Sequence, residues 1–278
     1  MARPFFCRPR RLRYHTLVKR LIIADSHVGQ GHDDVRAMTA LLERAAAEDV
    51  GEVIYLGDAF QYLIGMTKFW TTSVFEVRDV WRRLRAAGIT VGIVEGNRDF
   101  FLDARDLADE VDWSARKFSF KSGGKTYLLD HGDHVNPRDF QYRFWSTVSK
   151  SQVARLWAHL LPRPIAVGIV RYMEAHLAKT NRKFRYTRPI ADLRRYAEVA
   201  WGRGVDIVFW GHFHTPWRCR NGSGNEALIV PAWLENRTSI LVEPDGRWDL
   251  VDDSLKSTDL KLDELSEPER NMVQENLG

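Results

Sequence analysis

The chain has 278 residues, 44% of them hydrophobic and 28% charged, with ten Trp; this is the balance of one elaborated globular domain with a large core, and it excludes a disordered chain. No apolar run reaches the roughly 18 residues a membrane-spanning helix needs, because Arg155, Arg163 and Arg171 interrupt the longest candidate, Val153 to Leu177; two Cys cannot build a disulfide framework, which suits a reducing, cytoplasmic setting. The net charge of +4 is unevenly spread: Arg138 to Ala200 holds 13 basic residues against four acidic ones, so an anionic partner is expected there.

Residues 1–18 read as a basic N-terminal arm, too poor in apolar residues for a signal peptide. Leu21 to Ala24 is a short apolar run ending at Asp25, as in a buried strand that delivers a carboxylate at its C-terminal end. Met38 to Ala47 has helical spacing. Val53 to Leu56 repeats the strand pattern and ends at Gly57-Asp58. A helix is predicted from about Thr72 to Ala87, closed by Gly88, and Thr90 to Val94 is a third strand ending at Gly96-Asn97. This βαβαβ rhythm is that of an α/β sheet with helices on its faces.

Lys117–Phe120 and Thr126–Leu129 flank Gly123-Gly124 and predict a hairpin leading into Asp130-His131-Gly132-Asp133. Residues 137–187 carry helical periodicity, basic charge and aromatics, broken at Pro162 and Pro164, and read as an inserted helical subdomain. A helix from Pro189 to Trp201 leads to Val205–Trp210, an apolar strand ending at Gly211-His212. Ala227–Val230, Thr238–Val242 and Arg247–Leu250 are strand-like and are expected to close a second sheet. The main domain is therefore placed at 19–252, with a polar tail at 253–278 that is expected to fray.

Five polar clusters end five apolar strands: Asp25-Ser26-His27, Gly57-Asp58, Gly96-Asn97-Arg98-Asp99, His131-Gly132-Asp133 and Gly211-His212-Phe213-His214. Strand ends along one edge of a sheet converge, and sites in open α/β sheets sit at that edge. Asp, His and Asn without a thiolate suit Mn²⁺, Fe²⁺ or Zn²⁺. Glycine before Asp58, Asn97 and His212 would let the backbone turn sharply, so that each side chain points into a shared pocket.

In this order the clusters resemble those of the calcineurin-like metallophosphoesterases. The resemblance implies an α/β fold, a four-layer αββα sandwich with a helical cap insertion. It implies that Asp25, His27, Asp58 and His214 hold one divalent ion, Mn²⁺ by preference, and that Asp58, Asn97, His131 and His212 hold a second, with Asp58 bridging. Asn97, Arg98, His131 and Asp58 are then the catalytic group. Asp99 and Asp133 become candidates either for orienting His ligands or for capping backbone.

Most phosphatases of that family carry His after the motif Asn, where it can protonate an alkoxide; here Arg98 stands in its place. Arg is a poor proton donor and a strong bidentate phosphate ligand, so cleavage of a P–O–P bond is favoured over an alkyl monoester. Gly96 to Leu102, His131-Gly132-Asp133, Gly211 to Pro216 and Pro231 to Glu235 together resemble the UDP-2,3-diacylglucosamine pyrophosphohydrolases of bacterial lipid A synthesis. That narrower likeness implies a UDP-linked diacylated glucosamine lipid as substrate. It implies a cap that shelters acyl chains, with Arg98, Asn181, Arg182, Lys183 and Arg185 near the substrate, and peripheral contact with the anionic inner face of the cytoplasmic membrane. Alternatives are another calcineurin-like phosphoesterase acting on nucleotides, cyclic nucleotides, other phosphoesters or a different diphosphate lipid, or a metal-dependent nuclease using the basic stretch. The apolar residues of the insertion argue against a stable nucleic-acid partner.

Overall fold

The computed structural model describes residues 18–29, 32–136, 147–176 and 188–264. Two six-stranded sheets face each other. The first contains β1 (Arg20–Ile23), β2 (Glu52–Leu56), β4 (Thr90–Val94), β6 (Trp113–Ala115), β12 (Ser239–Val242) and β13 (Trp248–Val251), in the order β13-β12-β1-β2-β4-β6. The second contains β7 (Lys117–Ser122), β8 (Lys125–Asp130), β9 (Ile207–Trp210), β10 (Trp217–Arg220), β11 (Glu226–Ile229) and β14 (Asp263–Glu264), in the order β14-β10-β11-β9-β8-β7. A two-stranded pair, β3 (Leu63–Ile64) and β5 (Asp99–Phe100), lies beside the first.

The central strands β1, β2 and β4 run parallel, with Leu21 beside Val53 and Val53 beside Val91. They are apolar on both sides because both faces are covered. Leu21, Ile23, Val53, Tyr55, Val91 and Ile93 face helices α1 (His32–Ala47) and α2 (Thr72–Ala86). Ile22, Ala24, Ile54 and Leu56 meet Phe120, Tyr127, Leu129, Phe209 and Leu228 of the second sheet. On that sheet's outer face, Val208, Trp210, Ala227 and Ile229 pack on Leu193, Ala197 and Ala200, which lie on a later helix (Ile190–Trp201). The result is helices, sheet, sheet, helix, the αββα sandwich that the motif order implies.

Three expectations change. First, the helix predicted from Met38 begins at His32: Asp33 and Asp34 in its first turn complement the helix dipole, and Val35 joins Met38, Leu41, Leu42 and Ala45 on the buried face. Second, β12 and β13 belong to the first sheet, because β12 pairs antiparallel with β1, with Leu21 beside Leu241. Only β11 of those three strand-like runs enters the second sheet. Third, the chain does not leave the fold at Asp253. Leu260 and Leu262 pack against the core between the sheets, and β14 pairs parallel with β10. Burial of two leucines outweighs the polar composition that suggested fraying.

Of the predicted insertion, the described part is a helical hairpin broken at Pro162: Gln152–Leu160, numbered α4 after the short α3 (Arg105–Ala108), and Arg163–His176, numbered α5. Pro164 falls in the first turn of α5, where its missing N–H leaves no helix bond unmade. The helix Ile190–Trp201 is then α6, and Trp233–Asn236 is α7. The hairpin sits on the body through Ala158, Ala166 and Val170, which meet Ile64, Met66, Phe69 and Ala104. Its other face is apolar and exposed among the described residues: Val153, Leu156, Trp157, Leu160 and Ile165 are all more than half exposed.

Candidate metal centre

The ends of β1, β2, β4, β8 and β9 bring all seven predicted ligands into one pocket. Two loops are stitched together first: Asp25 N–H donates to the Gly57 carbonyl at 3.3 Å and His27 N–H to that of Asp58 at 2.9 Å. Five of the seven residues, Asp25, His27, Asp58, His212 and His214, have φ between 42° and 68°, the left-handed region that costs a side-chain-bearing residue about 1–2 kcal/mol. Strain of this kind persists where surrounding structure over-determines it, and it gathers at functional sites.

Glycine has two jobs in these loops. Gly57 carries a positive φ of 79°, as the sharp-turn argument expects. Gly96 and Gly211 do not; there the need is close approach. A Cβ on Gly96 would lie 2.4 Å from Asp58 Oδ1, and one on Gly211 would lie 2.7 Å from Asp25 Oδ2. At Asp58 and His212 the ligand residue itself takes the left-handed turn.

The donor atoms fall into two groups. His27 Nε2 and His214 Nε2 are 3.3 Å apart, with Asp25 Oδ1 at 3.9 and 3.7 Å from them. Asn97 Oδ1 lies 3.1 Å from His131 Nε2 and 2.9 Å from His212 Nδ1. Asp58 stands between the groups: Oδ2 is 3.8 Å from His27 Nε2, and Oδ1 is 3.7 Å from His131 Nε2. Asp25 Oδ1 is buried and has no hydrogen-bond partner among the described residues, while Oδ2 accepts the His212 N–H at 2.7 Å. An unanswered carboxylate oxygen facing two imidazole nitrogens is an unfavourable burial that a cation would relieve. The oxygen and nitrogen donors present fit divalent ions.

Outer partners fix the rings. His131 Nδ1–H donates to the Leu56 carbonyl at 3.1 Å, which leaves the Nε2 lone pair for the pocket. His214 Nδ1 is 2.9 Å from Glu235 Oε1, and α7 puts that carboxylate there because Trp233 N–H binds the Ala24 carbonyl at 2.9 Å. Glu235 was legible only as part of a motif; its pairing with His214, 21 positions earlier, comes from the tertiary fold. His27 Nδ1 has no partner among the described residues, so unlike His131 and His214 its ring is not oriented through its outer nitrogen; it stacks on His214. Asp99 settles on backbone: Oδ2 accepts the N–H groups of Asp58 at 3.0 Å and Gly96 at 2.8 Å. Asp133 Oδ1 lies 3.6 Å from His134 Nδ1, and its charge favours a proton on His131.

Arg98 is buried at the edge of the pocket. Its backbone N–H donates to Asp58 Oδ1 at 2.8 Å, Nη1 donates to Gln61 Oε1 at 2.7 Å, and Nε is 3.7 Å from Asp58 Oδ2. The guanidinium lies over the Tyr62 ring, 5.3 Å from its centroid. Gln61 also donates to the His27 carbonyl at 2.8 Å, so one amide ties the Arg98 head to the β1 loop. Asn181, Arg182, Lys183 and Arg185 lie outside the described residues.

Burial opposes charge on His131, but Asp58 and Asp25 outweigh it and lift its pKa to about 9. Burial and the neighbouring Arg98 charge hold His27 well below the usual histidine range, and burial with His131 pushes His212 down to about 4. Burial raises Asp25. A ligand must lose its proton to bind a cation, so if His131 is a ligand its raised pKa would make binding proton-coupled below about pH 9. Mn²⁺ titrations of the metal-stripped chain should show affinity rising from pH 7 to 8.5, by up to about tenfold per pH unit for one displaced proton. A flat profile would mean that His131 is not displaced.

The calcineurin-like phosphoesterase family profile matches residues 18–216. UDP-2,3-diacylglucosamine hydrolase of Ralstonia nicotianae is 27% identical over 239 residues, covering 81% of this chain and 88% of the relative. The protein of the same name from Pseudomonas putida is 28% identical over 240 residues, covering 81% and 95%. A dimetal phosphatase from Danio rerio superposes with a TM-score of 0.44 at 15% identity, covering 87% of this chain and 99% of that one.

Proposed function

The chain belongs to the calcineurin-like phosphoesterase family and is a metal-dependent hydrolase, and on that premise we propose that it cleaves the diphosphate of UDP-2,3-diacylglucosamine with two divalent ions, Mn²⁺ by preference, releasing UMP and 2,3-diacylglucosamine 1-phosphate. The carrying observation is Arg98, buried beside Asp58 where a proton-donating histidine would serve an alkyl ester. The relatives' name points the same way.

Asp25, His27, Asp58 and His214 would hold one ion, and Asp58, Asn97, His131 and His212 the other. When bound, the ions supply Lewis acidity at phosphorus and acidify the attacking water. The residues do the rest. Leu56 and Glu235 fix which nitrogen of His131 and His214 faces the pocket. Gln61 and Tyr62 hold the Arg98 fork ready for a phosphoryl oxygen. The departing phosphate needs no proton, because its second pKa is about 6. The exposed apolar face of α4 and α5 supports a lipid substrate and contact with an anionic bilayer surface.

The test is the purified chain with Mn²⁺, assayed on UDP-2,3-diacylglucosamine beside aryl and cyclic phosphates, with sedimentation on anionic vesicles at low and high salt. The diphosphate lipid should be the preferred substrate and the vesicles should retain the protein at low salt only. Arg98→Lys keeps the charge and loses the fork; kcat/KM on the lipid should fall by about 1.5–3 kcal/mol, or roughly 10- to 150-fold. Turnover of aryl or cyclic esters with none of the diphosphate lipid would overturn the substrate assignment, and no retention on the vesicles even at low salt would overturn the membrane contact.

A further inference from the structure

Among the described residues, three cations hydrogen-bond the cap hairpin to the body. Lys68 Nζ donates to the carbonyls of His159 at 2.7 Å and Leu161 at 3.0 Å, at the C-terminal end of α4. Arg155 Nη1 meets Asp103 Oδ2 at 2.8 Å. The third contact differs in where it lands. Lys150, just before the Ser151 that caps α4, reaches past the cap to the loop carrying Asn97. Its Nζ donates to the Gly96 carbonyl at 2.8 Å and pairs with Glu95 Oε1 at 2.5 Å, over the Phe100 ring. Its side chain is only 13% exposed.

Gly96 is a sensitive place to pull. Its backbone is pressed so closely on Asp58 that an added Cβ would lie 2.5 Å from the Asp58 nitrogen. Its N–H is fixed by Asp99 Oδ2 at 2.8 Å, and its carbonyl accepts the Asp99 N–H only at 3.4 Å, which leaves the shorter Lys150 contact as the firmer hold on that carbonyl. That carbonyl and the Asn97 N–H belong to one planar peptide, so whatever orients the first orients the second. Asn97 Oδ1 then meets His131 and His212.

We propose that Lys150 is a positioning residue that couples the seat of the cap hairpin to the Asn97 side of the metal centre by gripping the Gly96 carbonyl. This rests on reading the pocket as a two-ion centre. Lys150 touches no ligand atom and acts through the 96–97 peptide. Only one of the two donor groups contains Asn97, so its loss has an asymmetric signature.

The experiment is calorimetric titration of the metal-stripped full-length chain with Mn²⁺, for the parent, Lys150→Met and Lys150→Arg. The parent binding two ions establishes the premise independently of the variants; fewer than two would remove the premise itself. In Lys150→Met one ion should weaken about tenfold, the scale lost with outer partners of metal ligands, while the other changes by less than about twofold. Lys150→Arg, which can still reach a carbonyl, should restore most of the loss. Parental affinity for both ions in Lys150→Met, equal weakening of both, or no rescue by Arg would overturn the proposal. If Lys150→Met does not fold, Lys150→Gln replaces it: too short to reach Gly96, it should show the same one-sided weakening, and parental affinities there overturn the assignment equally.

Discussion

Asp58→Asn should abolish turnover while leaving the fold intact. The substitution preserves shape and keeps an acceptor for the Arg98 N–H that Oδ1 now receives at 2.8 Å. What it removes is the charge of a carboxylate placed between the two donor groups, 3.8 Å from His27 Nε2 and 3.7 Å from His131 Nε2. Two dications about 4 Å apart repel by roughly 16 kcal/mol even at an effective dielectric of 20. No hydrogen-bond adjustment compensates for that. The expected result is at most one tightly bound ion by metal analysis, and a fall in kcat of at least about 10³-fold, the scale seen when charge stabilisation of a transferring phosphoryl group is lost. A folded Asp58→Asn chain with two ions and near-parental turnover would end the bridging assignment.

Gly57→Ala is the second large effect, and it acts on folding and metal binding together. The new methyl would sit 2.1 Å from His131 Nδ1, on a residue whose φ is +79°. It would push the imidazole off the Leu56 carbonyl that sets its tautomer. Overpacking at about 1–3 kcal/mol and a left-handed alanine at about 1–2 kcal/mol together predict a loss of about 2–5 kcal/mol. Thermal melts of the metal-stripped chain read the stability loss, and Mn²⁺ titration reads the displaced His131. Gly88→Ala is the control: its φ of +86° imposes the same backbone cost, but a Cβ there meets nothing within 4 Å. Equal destabilisation by both variants, with metal binding unchanged, would refute the steric account of Gly57.

How much of this was legible beforehand depended on whether a feature is local. The strand runs Leu21–Ala24, Val53–Leu56 and Thr90–Val94 and their polar endings could be read directly, because a strand buried on both faces must be apolar along its length and its ligand-bearing end must not be. The Gly123-Gly124 turn announced the β7–β8 hairpin, whose register places Ser122 opposite Lys125. The motif order carried the family and therefore the αββα layers. Sheet membership was not legible in β12 and β13. Their apolar residues satisfy either sheet equally, and only pairing with β1 decides.

The same division runs through the pocket. Chain order and residue type, read through the family resemblance, singled out the seven candidate donors Asp25, His27, Asp58, Asn97, His131, His212 and His214, because few side chains can hold a divalent ion and these stand at or just past strand ends. Tertiary structure alone decided what orients them: Glu235 behind His214, the Leu56 carbonyl behind His131, Gln61 under Arg98, Lys150 on Gly96. It also showed that Gly96 and Gly211 are glycines for want of space, while Asp58 and His212 bear the left-handed turn themselves. A ligand is recognisable by its own chemistry. An orienting partner is an ordinary carbonyl, amide or ammonium, and it acquires its role only when folding brings it within 3 Å or so of the right atom.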